Sequence, residues 1–324
     1  MPAQIRRSSV HTVMLRQRVI AVVGATGTGK TALAIDVARR LGGGFEAVNA
    51  DSRQVYRYMD IGTAKPTAAE REALPHRLID IVDPDETFSL GRWLELAKEA
   101  LDEVWEQGRV PVVVGGTGQY VWALLEGWRV PRVPPQEGLR REMEARPPEE
   151  LLAELRRIDP ESQEYIQPNN VRRVIRALEV YHATGKPLSH WRTKDAPRFK
   201  SLVIGVRTAR EALYERIDAR VEAMMAAGFP EEVRGLVDRG YGCDLPSMSG
   251  IGYRELCAHL HGETSLDEAV ARTKTGTHRL SRHQNTWFKA GDERIRWIEA
   301  DEGAGEAAAE IAAQWLGQET GDGG

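Results

Sequence analysis

Apolar residues in this chain gather into short, nearly unbroken runs that alternate with longer amphipathic stretches. Arg18–Val23 and Val110–Val114 read as strands, and Glu46–Asn49, Leu78–Val82 and Leu202–Val206 add three more candidates. Between them the apolar period lengthens to that of a helix. Leu33, Ile35, Val37, Ala38 and Leu41 pattern Thr31–Leu41, and Leu94, Ala97, Leu101 and Val104 pattern Trp93–Trp105. Strands alternating with helices predict an α/β fold built on a parallel sheet. Val130-Pro-Arg-Val-Pro-Pro135 then breaks the rhythm, and residues 136–182 read almost wholly as helix until Lys194–Lys200, with Pro197, breaks it again. The expected organisation is therefore a core from residues 1–129 and 201–324, with an all-helical domain, 130–200, inserted into it. Beyond 206 the pattern predicts helices over Arg210–Ala227, Glu231–Arg239, Gly252–His261 and Leu266–Lys289. Residues 1–17 form a loose basic leader without apolar pattern, in which Met14 is a second candidate start. The tail from Glu299 holds seven acids and no Lys or Arg, and its Gly-Asp-Gly-Gly end is expected to fray.

Composition narrows the class without naming it. The 324 residues suffice for about two domains, and 41% hydrophobic with 28% charged residues is ordinary for a soluble globular protein. Cys243 and Cys257, the only cysteines, exclude a disulfide framework or a cysteine-rich zinc site and are expected to be plain thiols in a reducing compartment. The longest apolar run near the start, Val19–Val23, is far too short for a signal core or a membrane span. A cytoplasmic, membrane-independent monomer is expected. The net charge of −4 argues, taken globally, against a nucleic-acid partner.

One motif carries chemistry directly. Gly24-Ala25-Thr26-Gly27-Thr28-Gly29-Lys30-Thr31 fits G-x-x-x-x-G-K-[ST], directly after a strand and before a helix, which is the context the motif requires. Backbone amides and the helix N-terminus would cradle a di- or triphosphate. Lys30 would meet phosphate oxygens, and the Thr31 hydroxyl would hold Mg²⁺. The fold expected is thus a P-loop NTPase-like parallel sheet. The strand Val110–Val114 ends in Gly115-Gly116-Thr117-Gly118, however, where a nucleotide hydrolase wants an acid. An ATP-binding small-molecule kinase stays open on these residues alone. Asp51, just past the second strand and beside Ser52, is the first carboxylate at the sheet edge where ligands bind.

Several segments together resemble the tRNA dimethylallyltransferases, also called tRNA isopentenyltransferases. They are the phosphate loop, Asp51-Ser-Arg-Gln-Val-Tyr56, Met59-Asp-Ile-Gly-Thr-Ala-Lys-Pro66 and Pro75-His-Arg77, then Gly115-Gly-Thr117 and Leu124-Leu-Glu-Gly127. Arg173–Val180, Gly252-Tyr-Arg-Glu255 and Gln284–Trp287 complete the set, in family order from 24 to about 290. The resemblance implies transfer of a dimethylallyl group from dimethylallyl diphosphate to N6 of adenosine 37 in tRNA. Asp51 matches the family's general base, and Thr117 the threonine near the bridging oxygen of the leaving diphosphate. Residues 24–31 and Arg220 match the diphosphate site. Asp51, Ser52, Arg53 and Gln54 are implied at the target base. Arg140, Arg172, Arg173, Val174, Ile175, Arg176 and the segment Ser249, Gly250, Ile251, Gly252, Tyr253, Arg254 are implied at the RNA. The chain departs from the family pattern at Asn170, usually Asp, at Arg282-His283, usually two basic residues, and at Ser249, often Arg or Gln.

Local charge then qualifies the global figure. Residues 165–200 hold eight Lys/Arg against two acids, and residues 272–297 hold seven against two. Without the acidic tail the first 298 residues carry +3, so net charge conceals two basic stretches. Trp191, Trp287 and Phe288 interleave with them, as stacking platforms for bases or, for Trp287 and Phe288 by their spacing with Leu280, as core.

Overall fold

The structure is a computed structural model, and it describes residues 18–318. The basic leader, Met14 and the Gly-Asp-Gly-Gly end lie outside the described residues. The described chain forms two compact units, one of residues 18–88, 94–121 and 198–318, the other of 89–93 and 122–197.

The first unit is built on β1 (Arg18–Val23), α1 (Lys30–Arg40), β2 (Phe45–Asn49), α2 (Ala68–Ala73), β3 (His76–Arg77), most of α3 (Leu90–Glu106), β4 (Val110–Gly115) and the start of α4 (Gly118–Leu125). The second unit contains α5 (Glu137–Glu144), α6 (Pro148–Ile158) and α7 (Val171–Thr184). The chain returns to the first unit through β5 (Lys200–Arg207), α8 (Arg210–Ala226), α9 (Phe229–Asp238), α10 (Tyr253–Leu260), α11 (Leu266–Trp287), β6 (Ile295–Glu299) and α12 (Ala304–Gly317). The strands form one six-stranded sheet in the order β3-β2-β4-β1-β5-β6, parallel throughout. Every residue of β1 and β4 is buried, because a parallel sheet is covered on both faces, and this is why their sequences are continuous apolar runs. One covering layer is α1 with α12, whose Leu33, Val37, Ala308 and Ala312 pack with Ile20, Val112 and Ile204 of the sheet. A second core, centred on Phe229, Tyr253 and Met248, holds the 55–59 segment against α9 and α10. The helical unit has its own core of Met143, Leu151, Leu155, Val174, Ile175 and Leu178.

Two expectations are corrected. Leu78–Val82 is not a strand: β3 lies just before it, and Leu78 and Asp80 take left-handed φ of 62° and 58°. Asp80 is held there by Lys65 and Arg71, and only Val82 bridges to Tyr56. The expected fraying of the chain's end falls outside the described residues, while the acidic residues before it lie largely in β6 and α12. β6 extends the sheet and α12 buries Ala304, Ala308, Ala309 and Ala312, a small-residue stripe whose acids occupy the other face. Finally, Cys243 and Cys257 are joined by a disulfide, not free: the 241–252 segment folds back on α10 and brings their Cα atoms to 5.9 Å.

Candidate active site

The sheet order sets the site. β2, β4 and β1 are neighbours, and the segments leaving their carboxyl ends are Asp51–Gln54, Gly116–Thr117 and the phosphate loop. In an open parallel sheet this edge is where ligands bind.

Gly29, at the N-cap of α1, has φ 88°, a conformation that a side chain disfavours. The loop is then free to wrap over the helix N-terminus. Lys30 Nζ donates to Ala25 O at 2.8 Å, and the Thr28 hydroxyl to the same oxygen at 2.9 Å. Desolvation pulls the Lys30 ammonium down to about 8; nearby Asp51 opposes that shift and Arg220 adds to it. These opposing influences put Lys30, Asp51 and Arg220 within electrostatic reach of one another. Arg220 is exposed on α8 and lines a cleft of about 810 Å³ with Lys65, Arg71, Asp80 and Met224. The Thr31 hydroxyl, on the first turn of α1, has no hydrogen-bond partner among the described residues.

Asn49 ends β2 and organises the turn beyond it. Its amide donates to Asp51 O and Leu78 O at 3.2 and 3.0 Å, and its oxygen accepts from Asp51 N at 3.1 Å. Asp51 Oδ1 caps the next turn by accepting from Arg53 N at 2.8 Å, while Oδ2 accepts nothing among the described residues. The Thr117 hydroxyl accepts from Ser52 N at 3.1 Å, which binds the β4 edge to the Asp51 segment. Arg53 reaches Pro246 O at 2.9 Å, Ser247 O at 3.2 Å and Ser249 Oγ at 3.4 Å. That ties the Asp51 segment to the loop before α10.

The run Gly115-Gly-Thr-Gly118 has a steric reason. A Cβ on Gly115 would sit 2.2 Å from Ala50 O, one on Gly116 2.4 Å from Gln284 Nε2, and one on Gly118 2.3 Å from Trp287 Cβ. Gln284 therefore reaches the heart of the site, donating to Gly116 O at 3.0 Å and accepting from Thr26 N at 2.7 Å. The sequence singled out its motif but not this role. The signal was in the paired motifs: three glycines at one strand end require something large pressed against them.

Of the residues implied at RNA, the first unit brings together Asp51–Gln54 and Ser249–Arg254. Ser249 and Arg254 are exposed, whereas Gly250, Gly252 and Tyr253 are buried, with Tyr253 only 1% exposed. Arg140 and Arg172–Arg176 belong to the second unit. There Arg172 and Arg173 are exposed and make no ion pair among the described residues. The Val174 and Ile175 side chains lie inside the helical core. Arg140 and Arg176 are engaged by the buried Glu179. Asn170 caps α7 by accepting from Arg173 N at 3.2 Å, a task Asp and Asn perform alike, so that departure is conservative. Phe288 is core, and Trp287 packs on Gly118.

A family profile described as IPP transferase matches residues 54–291, and one described as isopentenyl transferase matches 17–81. The chain belongs to the tRNA dimethylallyltransferase family. It is 50% identical to the tRNA dimethylallyltransferase of Roseiflexus sp. (strain RS-1) over 92% of this chain and 98% of the relative. It is 49% identical to that of Chloroflexus aurantiacus, over 84% and 93%. Among solved structures, the full-length tRNA isopentenylpyrophosphate transferase of Bacillus halodurans superposes with a TM-score of 0.69 at 38% identity, covering 93% of this chain and 97% of its own. A eukaryotic dimethylallyltransferase, whose structures capture it acting on tRNA, gives 0.80 at 27%, covering 93% and 79%. Membership of the tRNA dimethylallyltransferase family accounts for a phosphate loop without a hydrolase's strand-end acid, and it disfavours the kinase reading. Among the described residues no helix is long and apolar enough to cross a membrane.

Proposed function

We propose that this protein transfers the dimethylallyl group of dimethylallyl diphosphate to N6 of adenosine 37 in tRNA, releasing diphosphate and a proton. The observation that carries the reading is the meeting, at one sheet edge, of a desolvated phosphate-loop lysine and a carboxylate with an uncommitted oxygen. An exocyclic adenine amine is a weak nucleophile because its lone pair is delocalised into the ring. Asp51 Oδ2 accepts its proton as the N–C bond forms. The allylic C–O bond breaks at the same centre, and negative charge grows on the departing diphosphate. Loop amides, Lys30 and Arg220 stabilise that charge, and the Thr117 hydroxyl donates to the leaving oxygen. Gln54 contacts the base, which must leave its stack to reach Asp51. Exposed Arg172, Arg173 and Arg254 supply phosphate contacts.

The residues also fit a magnesium ion. Thr31 offers an unengaged hydroxyl at the phosphate loop, and among the described residues no cluster of three or more His, Cys, Asp or Glu could hold a metal. That donor set suits Mg²⁺, which keeps its waters and binds substrate phosphates with few protein ligands. When bound it would offset charge on the diphosphate.

The test is incubation with labelled dimethylallyl diphosphate and unmodified tRNA, followed by digestion to nucleosides. The expected product is N6-dimethylallyladenosine from position 37. With Asp51→Ala, tRNA affinity should persist while single-turnover transfer slows by about a hundredfold or more. An unchanged rate would remove Asp51 as the base.

A further inference from the structure

Glu232, on α9, belongs to none of the segments assigned above, yet its carboxylate accepts four hydrogen bonds. Oε2 accepts from Asp60 N at 2.8 Å and Ile61 N at 2.7 Å. Oε1 accepts from Gly62 N at 3.1 Å and from the Tyr253 hydroxyl at 2.6 Å. Three successive amides converging on one anion form a backbone nest. Gly62 permits the close approach, since a Cβ there would lie 2.2 Å from the Phe229 ring.

The far side of the turn gives the carboxylate its purpose. The two carbonyls after Gly62, Thr63 O and Ala64 O, each accept from Gln54 Nε2 at 3.1 Å. Two acceptors fix the amide with nitrogen toward the turn, so Oε1 faces away and has no partner among the described residues. An acceptor left without a partner among the described residues suits an N–H of the base, whereas a flipped amide would present donors instead. Tyr253 connects the same carboxylate to the Ser249–Arg254 segment. Burial and the neighbouring Glu232 charge push the phenol well up, so it remains a donor.

We propose that Glu232 is a positioning residue for the transfer reaction: it locks the 60–64 turn, thereby orients the Gln54 amide toward the nucleic-acid substrate, and ties that turn to the segment opening α10. This rests on the reading of the site given under Proposed function. Glu232 itself touches neither substrate.

The test compares the full-length protein with Glu232→Gln, Glu232→Asp, Gln54→Ala and the Glu232→Gln/Gln54→Ala double variant. Single-turnover transfer to tRNA and binding of dimethylallyl diphosphate are measured separately. Glu232→Gln is expected to slow transfer by about tenfold or more, because charged acceptors make the stronger hydrogen bonds, and to leave dimethylallyl diphosphate affinity within about twofold. Glu232→Asp should recover part of the rate. The double variant should be about as slow as Gln54→Ala alone, since the two residues act through one contact. Additive losses, an unchanged Glu232→Gln rate, or a parallel fall in diphosphate affinity would each overturn the role. If Glu232→Gln fails to fold, Tyr253→Phe, which removes one of the four hydrogen bonds, enters the same cycle with the same criterion. No label in tRNA from the wild-type protein would overturn the transfer reading itself, and this role with it.

Discussion

A single ammonium group sets the pH behaviour expected of the site. Desolvation holds Lys30 near 8 in the free enzyme, against the partial support of Asp51. Below that value the phosphate loop carries its cation, and above it the cation is lost. The kcat/KM for dimethylallyl diphosphate, which reports free-enzyme groups, should therefore fall as pH rises through about 8, approaching about tenfold per pH unit. A pH profile of wild type beside Lys30→Arg checks this: the arginine stays charged, so whatever activity it retains should lack the descent. Lys30, Asp51 and Thr117 stood out in the sequence because each lies in a short local motif, Lys30 at the start of α1 and the other two just past a strand end. Gln284 was not, because its partners Thr26 and Gly116 lie 258 and 168 residues away and such contacts leave no periodicity. The contiguous motif Arg172–Arg176 conceals a division of a different kind. Helical geometry turns Val174 and Ile175 inward while Arg172 and Arg173 face out, and a run of adjacent letters cannot show that division.

Between elements, the helical unit depends on one buried acid. Glu179 of α7 is fully buried and accepts from Arg140 Nε at 2.8 Å and Nη2 at 3.0 Å, from Gln136 N at 2.7 Å, and from Arg176. Burial pushes its carboxyl up, but Arg140, the Gln136 amide and Arg176 together hold it below the usual glutamate range. A depressed acid stabilises the fold above the unfolded pKa of about 4.3, and that stability is lost as pH falls through the lower folded value. Glu179→Gln should destabilise the protein by about 2 kcal/mol near neutral pH, discounted because both arginines are partly exposed, and the deficit should shrink in acid. Thermal melts of both proteins at pH 7 and near pH 3 measure it. The helices were legible from their periods. The short strands were less so: Leu78–Val82 mimics a strand in composition, but charged partners bend it at Asp80, and β6 buries only Ile295 and Ile298 of its five residues.

At the scale of the whole molecule, β6 and α12 make the acid-rich C-terminal segment part of the fold. α12 covers α1 and the sheet with Ala308 and Ala312 fully buried, so a chain ending at Glu302 would bare Leu33, Val37 and Ile298 to water. At roughly 25 cal/mol per Å² of apolar area, that exposure should cost several kcal/mol. The truncated protein is expected to show a lower urea midpoint and a reduced soluble yield; an unchanged midpoint would place α12 outside the cooperative core. The parallel sheet was readable from alternating strands and helices, but the strand order was not, since nothing local states that β1 lies between β4 and β5.

That order bears on how the chain is made. On a ribosome, β1 gains β4 only after Gly115 and β5 only after Arg207, with residues 122–197 of the helical unit synthesised in between. For that interval a fully buried strand has an unpaired edge, the kind of surface that seeds association between nascent chains. The inserted helices thus delay the pairing of β1 with β5 by the time their own synthesis takes.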